Sequence, residues 1–177
     1  MKLKKRIIGL CGSASQNSGN LAILHYLKET YSSEMEFEII DNLSELPHFR
    51  TELTDHKVPE AIKKFRNEIS KADGVLFCTP EYIFGIPSAL KNALEWSVST
   101  TIFSNKPVGI ITASASGEKG HEELKLIMKT LQSTFSDDTT LLISGIKGKI
   151  ITDKKIPDEK TKKELNNLFT AFKKSLS

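Results

Sequence analysis

Apolar residues occur along the chain in short continuous runs that alternate with longer stretches of helical periodicity. The continuous runs lie at residues 7–11, 74–78, 107–111 and 141–143. Runs of this length are typical of strands buried on both faces, as in a parallel sheet. In residues 35–40 polar and apolar side chains alternate instead, which predicts an edge strand with one exposed face.

Apolar positions spaced three or four residues apart predict a helix after each strand. The predicted helices cover residues 18–31, 59–72, 87–96, 121–135 and 158–176. A regular βα alternation predicts an α/β fold, with helices on both faces of a parallel sheet. For five strands we expect the flavodoxin-like, doubly wound order 2-1-3-4-5, which places the amphipathic second strand at an edge. No linker or repeat divides the chain, so we expect one domain, 1–177.

Composition narrows the class of protein. Hydrophobic residues make up 38% of the chain and charged residues 27%, with a net charge of +3, which is ordinary for a globular protein and too weakly basic to indicate nucleic-acid binding. The longest apolar runs are far shorter than the ~20 residues of a membrane span. The run that follows the basic start of the chain is also too short for a signal peptide.

Cysteine and histidine give no sign of a metal site. Cys11 and Cys78 each lie inside an apolar run, so we expect buried thiols and a reducing, cytoplasmic location. The four histidines have no common metal-ligand spacing, so we expect structural roles for them.

A sheet of this order binds ligands beyond the carboxyl ends of its strands, at the switch point between strands 1 and 3. Three segments should meet there: loop 1 (12–20), loop 2 (79–87) and loop 3 (112–120). Residues 42–58 form the longest irregular stretch, and a loop of that length in a compact domain is often functional.

The three loops differ in the chemistry they offer. Loop 1 is rich in Ser and Asn and leads into a helix, which favours a phosphate monoester but is equally typical of a capped turn. It lacks both the Walker A pattern and the GxGxxG pattern. Loop 2 holds Tyr82, Ile83, Phe84 and Ile86, which indicates a flat ligand, a partner subunit or a cap on the core. Loop 3 is built of small residues that let a backbone approach a ring closely, although Ser-Gly loops are common.

Three blocks of sequence resemble the NADPH-dependent FMN reductase family, which includes quinone and chromate reductases and azoreductase-like relatives. The first is Gly12-Ser13 followed by Ser18 and Asn20. The second, and most specific, is Thr79-Pro80-Glu81-Tyr82 continuing to Pro87-Ser88-Ala89-Leu90-Lys91-Asn92-Ala93-Leu94-Glu95-Trp96. The third is the strand and loop at 107–117.

The resemblance implies three groups of cofactor-binding residues. Loop 1 would hold the FMN phosphate at Ser13, Ser15, Ser18, Gly19 and Asn20. Loop 2 would line the ribityl chain and ring, mostly through backbone atoms, at Pro80, Glu81, Tyr82 and Ile83. Loop 3 would contact the far edge of the ring at Ser114, Ala115, Ser116 and Gly117.

The resemblance also implies an activity. FMN would take a hydride from NADPH or NADH and pass electrons to a small acceptor such as a quinone, chromate, an azo compound or free flavin. No catalytic side chain is then required, because the cofactor carries the reaction, and we expect a structural role for Glu81. Family members are usually dimers or tetramers, so helix 87–96 is expected at an interface. A non-catalytic, flavodoxin-type electron carrier and a phosphate- or nucleotide-sensing domain without redox activity are the alternatives.

Two positions depart from the family pattern. Many members have arginine where this chain has Ser15, and asparagine where it has Ile83. The first change removes a fixed positive charge near the phosphate or the nicotinamide nucleotide. Both leave the choice between NADPH and NADH open.

Overall fold

The computed structural model describes residues 4–15, 17–146, 149 and 156–176. Within them a parallel five-stranded sheet has the order β2-β1-β3-β4-β5, which confirms the predicted flavodoxin-like topology. The strands are Lys5–Cys11 (β1), Met35–Ile40 (β2), Gly74–Thr79 (β3), Val108–Ser114 (β4) and Thr140–Ser144 (β5).

Helices cover both faces of the sheet. They are Gly19–Thr30 (α1), Glu60–Lys71 (α2), Ser88–Glu95 (α3), Glu118–Thr130 (α4) and Glu159–Ser175 (α5). Side chains of α1 and α5 form the core on one face, and side chains of α2, α3 and α4 form the core on the other. Among the described residues no helix is both long and apolar enough to cross a membrane.

The central strands contribute side chains to both cores because successive side chains of a strand point to opposite faces. In β1, Ile7 and Cys11 belong to the α1–α5 core, whereas Ile8 and Leu10 belong to the α2–α4 core. In β2, by contrast, Phe37 is buried while Glu36 and Glu38 are exposed. The alternating pattern therefore correctly predicted an edge strand.

Two predicted boundaries were wrong in ways that affect the site. β4 continues past residue 111 to Ser114, because Thr112 pairs with Leu142 and Ser114 pairs with Ser144. The fourth helix runs Glu118–Thr130, not 121–135. It starts earlier because Gly117, with φ of 95°, provides the helix N-cap, and it ends earlier because Gln132 adopts a left-handed φ of 61°.

The segment 42–58 is less irregular than predicted. It contains two short 3₁₀ turns, Leu43–Glu45 and Thr51–Leu53. Its path is fixed by contacts with α3, described below.

Phe169→Ala should lower the free energy of unfolding by about 3–5 kcal/mol, because it removes a fully buried ring and leaves a cavity. The Phe169 ring stacks on Tyr31 with centroids 4.1 Å apart and also packs near Phe37 and Phe172. Phe84→Ala is the matched control, since Phe84 is exposed and its removal should change stability by less than about 0.5 kcal/mol. Equal losses in urea unfolding would contradict this assignment of the core.

Candidate cofactor site

The three loops converge at the carboxyl edge of the sheet. Loops 1 and 2 start side by side, where the Gly12 N–H donates to the Cys78 carbonyl at 2.9 Å. A Cβ at Gly12 would collide with the Thr79 side chain, so the close approach of these strands requires glycine. Loops 2 and 3 are joined by the Gly120 N–H, which donates to the Glu81 carboxylate at 2.7 Å.

Loop 1 presents hydroxyl groups at the start of α1. Ser18 is the helix N-cap, and its Oγ accepts a hydrogen bond from the Leu21 N–H at 3.1 Å. The buried Ser13 Oγ accepts from the Ser15 N–H at 3.2 Å. Each hydroxyl keeps its own proton to donate. Together with the positive end of the α1 dipole, these donors suit an anion.

Asn20, the last of the residues predicted for loop 1, is buried. Its side chain is only 3% exposed and is committed to the fold. Nδ2 donates to the Ala113 carbonyl at 3.1 Å, and Oδ1 accepts from the Cys78 thiol at 3.4 Å. The side chain therefore reaches beneath loop 1 toward β3 and β4.

Loop 2 carries a tight two-residue turn with an exposed apolar tip. The backbone groups of Tyr82 and Gly85 exchange hydrogen bonds at 2.9 and 3.1 Å, which places Ile83 and Phe84 at the tip. Ile83 is 97% exposed and Phe84 80%. Both have left-handed backbones, with φ of 48° and 59°, a conformation that is strained for a β-branched residue.

Helix α4 braces this turn from one side. The Glu123 carboxylate accepts from the Ile86 N–H and from Lys91 Nζ, both at 2.8 Å. Partial burial is the largest single influence and raises the pKa of Glu123. The two hydrogen bonds and the Lys91 charge outweigh it, so the pKa lies below its ordinary value. Glu123 therefore stays ionised and holds the base of the turn.

Helix α3 anchors the segment 42–58. Asn92 accepts from the Phe49 N–H at 2.7 Å and donates to the Pro47 carbonyl at 3.1 Å. Trp96 Nε1 donates to the same carbonyl at 2.7 Å, and the Trp96 ring is fully buried. Trp96 is thus a core residue and offers no exposed ring for stacking on a ligand.

Loop 3 is held from the β5 side. The carbonyls of Ser114 and Ala115 accept from the N–H groups of Ile146 and Gly145, at 3.1 and 3.0 Å. The Ser116 carbonyl accepts from the Ser144 hydroxyl at 2.9 Å. Ala115 and Ser116 are exposed at the loop surface, whereas Ser114 and Gly117 are buried.

The described residues contain no cluster of three or more His, Cys, Asp or Glu side chains that could hold a metal ion. Instead, an anion cradle and an apolar turn lie at one edge of the sheet. That combination suits a ligand with a phosphate at one end and a flat ring at the other.

The model of the NADPH-dependent FMN reductase family matches residues 5–147 of the chain. The chain belongs to this family. It is an FMN-dependent NAD(P)H oxidoreductase.

Relatives of known activity agree with the family match. An NADH-dependent flavin reductase subunit 2 of Lactobacillus johnsonii is 33% identical over 132 residues, covering 70% of this chain and 69% of its own. An NAD(P)H:quinone oxidoreductase of Solanum tuberosum is 29% identical over 94% of this chain and 90% of its own. The solved structure of FerB, a flavoenzyme NAD(P)H:(acceptor) oxidoreductase from Paracoccus denitrificans, has the same fold, with a TM-score of 0.76 and 22% identity over 97% of each chain.

The left-handed backbone at Ile83 bears on the expectation that many family members have asparagine at this position. Asparagine tolerates a left-handed backbone, whereas a β-branched side chain does not. This chain therefore keeps an apolar tip at the cost of local strain.

The sequence did not indicate what holds the loops in place. Lys91, Asn92 and Trp96 were part of the recognised motif, but their partners Glu123 and Pro47 are 32 and 45–49 positions away along the chain. Nothing local to Glu123 distinguishes it from the other acidic residues of α4.

Ile83→Asn should raise the free energy of unfolding by about 1 kcal/mol, because asparagine relieves the left-handed strain and almost no buried surface is lost. Ile83→Val is the matched control, since it stays β-branched and should leave stability unchanged. Urea unfolding of the three proteins measures both effects. Stabilisation by both variants, or by neither, would show that the strain at this position is absent.

Proposed function

We propose that FMN binds across the three loops, with its phosphate at loop 1 and its ring between loops 2 and 3. The observation that carries the proposal is the placement of the Ser18 hydroxyl and the α1 N-terminus at the same edge as the apolar turn of loop 2. Ser13 and Ser18 are positioned to donate to phosphate oxygens. Gly19 lies in the same loop and offers its backbone N–H, whereas the Ser15 N–H already donates to Ser13 and Ser15 offers its exposed hydroxyl.

Loop 2 offers the ring a stiff and partly apolar wall. Pro80 is buried at its start, and Tyr82 is partly exposed. The Glu81 side chain is engaged by the Gly120 N–H, so this segment would present its backbone to the ring. The exposed residues Ala115 and Ser116 of loop 3 face solvent and are small enough to let the far edge of a ring approach.

FMN, held by the three loops, would supply the redox chemistry of hydride transfer from a nicotinamide and electron transfer to an acceptor. The protein's contribution is orientation. No side chain is needed as a general base, and the Glu81 carboxylate serves instead to tie loop 2 to α4.

We propose a quinone as the acceptor. Tyr82, Ile83 and Phe84 give the edge of the site an exposed apolar rim suited to a small flat molecule. The potato relative is named an NAD(P)H:quinone oxidoreductase. Chromate, being a small hydrated anion, would gain little from such a rim.

Ser18→Ala should weaken FMN binding at least tenfold, since a hydrogen bond to a charged group such as phosphate contributes ~1.5–3 kcal/mol. It should also cost about 1 kcal/mol of stability through loss of the helix cap, so binding is measured well below the melting temperature. The readout is quenching of FMN fluorescence on titration with protein. Ser70→Ala, an exposed serine on α2, is the matched control.

Assays of the wild-type protein distinguish the reductase from the electron carrier and from the sensing domain. We expect NADH or NADPH oxidation that depends on added benzoquinone and a yellow protein. Flavin binding without turnover would favour the electron carrier, and a protein that binds no FMN would favour the sensing domain. Unchanged FMN affinity in Ser18→Ala would contradict the assignment of loop 1.

We also propose that the chain forms a homodimer or homotetramer with residues 87–96 at the interface. An apolar groove of about 240 Å³ lies between α3 and α4. It is lined by Lys91, Leu94, Glu95, Val98, Leu126, Ile127, Thr130 and Leu131. Val98 and Leu126 are each 66% exposed and line the same groove, so they form a contiguous apolar patch of the kind that marks protein interaction sites.

Leu126→Glu should dissociate the oligomer, because a buried carboxylate without a partner opposes association. Sedimentation velocity measures the change. Ala61→Glu, on the exposed side of α2, is the control and should leave the oligomer intact. A monomeric wild-type protein, or an oligomer unaffected by Leu126→Glu, would contradict the proposed interface.

We propose a cytoplasmic location because the chain has two cysteine thiols that are not in a disulfide. Cys11 and Cys78 are both buried and form no disulfide in the fold. Thiols are kept reduced in the cytoplasm, where NADH and NADPH are also available.

A further inference from the structure

The side chain of Asn20, at the end of loop 1, contacts the carboxyl ends of both β3 and β4, which lead into loops 2 and 3. Asn20 itself lies in loop 1, at the second position of α1. Its Oδ1 accepts from Cys78, the penultimate residue of β3 before loop 2. Its Nδ2 donates to the carbonyl of Ala113, the penultimate residue of β4. The three elements joined in this way are not consecutive in the chain.

We infer that Asn20 is a positioning residue of the cofactor site, which sets the spacing of loops 1, 2 and 3 and does not itself hold the FMN phosphate. This role rests on the proposed FMN site. It differs from what the family resemblance implies, in which Asn20 contacts the phosphate.

Burial is the first reason. The Asn20 side chain is 3% exposed, whereas Ser18, two residues earlier, is partly exposed on the open side of loop 1. A phosphate seated at the start of α1 would meet the Ser18 hydroxyl. To contact the phosphate, the Asn20 amide would first have to leave both of its present partners.

The second reason is the chemistry of those partners. Burial raises the pKa of the Cys78 thiol well above its ordinary value, so the thiol keeps its proton and remains a donor to Oδ1. The Ala113 carbonyl lies in the interior, where no solvent replaces a lost donor. Moving the amide would therefore leave a buried carbonyl unpaired, which is strongly disfavoured.

The third reason is the pairing of the strands beneath. Cys11 of β1 pairs with Cys78, and Cys78 pairs with Ile111 of β4, so the three strands are aligned here, although β4 continues to Ser114. Backbone pairing fixes the strands but not the loops that leave them. Asn20 adds a side-chain link from the first turn of α1 across both neighbouring strands.

The two roles predict different spectroscopic changes. With Asn20→Ala we expect FMN affinity to fall at least tenfold, and the absorption bands of bound FMN to shift because loops 2 and 3 move relative to the ring. The ³¹P resonance of bound FMN should stay at its wild-type position. In Ser18→Ala the ³¹P resonance should move while the absorption bands stay.

Substitutions at Cys78 test its hydrogen bond to Asn20 without changing any residue of loop 1. Cys78→Val removes the thiol donor and should reproduce part of the band shift of Asn20→Ala. Cys78→Ser keeps a hydroxyl donor and should restore the wild-type spectrum. Circular dichroism tests whether each variant is folded. If Asn20→Ala is unfolded, the comparison of Cys78→Val with Cys78→Ser tests the positioning role.

A moved ³¹P resonance with unchanged absorption bands in Asn20→Ala would make Asn20 a phosphate ligand and overturn the inference. Wild-type FMN affinity and a wild-type absorption spectrum in Asn20→Ala would also overturn the inference. If Asn20→Ala is unfolded, a wild-type absorption spectrum in Cys78→Val would overturn it instead. Wild-type protein that binds no FMN would instead contradict the proposed function, and this role with it.

Discussion

The parallel pairing of β1 with β3 and of β3 with β4 is the constraint on which the site depends. Because all three strands run in one direction, their carboxyl ends, and the loops that follow, must meet at one edge. Cys11 pairs with Cys78, and Thr79 pairs with Thr112, so β1 and β3 end within one residue of each other and β4 ends two residues beyond Thr112. The loops can then be short, and each needs to supply only one part of a ligand site.

Side chains then fix the loops in place. Asn20 links loop 1 to β3 and β4, Glu81 and Glu123 tie loop 2 to α4, and Asn92 with Trp96 holds the segment 42–58 on α3. A cofactor that carries its own chemistry needs little from the protein beyond a preformed shape. These contacts supply that shape, and they explain why the recognised motif contains residues that do not face the site.

The fold could be predicted because its determinants are local. Apolar runs and alternation predicted five strands, and the order of elements left one common topology. Burial on both faces was wrong for β5, which is the second edge strand and in which only Ile143 is buried. The end of β4 was misplaced because Thr112 and Ser114 are buried polar residues, which a strand pattern does not anticipate. The start of α4 was missed because Gly117 acts as a cap only in its left-handed conformation. The general position of the site was predictable from topology, but the partners of Asn20 and Glu123 were not, because they are distant along the chain.

The central claim is that one preformed edge of the sheet binds both ends of FMN. The most direct test is a crystal structure of the protein with FMN bound. We predict the phosphate within hydrogen-bonding distance of Ser13 and Ser18, the ring between residues 80–82 and 115–116, and the Asn20 amide still bonded to Ala113. FMN bound at another edge of the sheet would contradict the account.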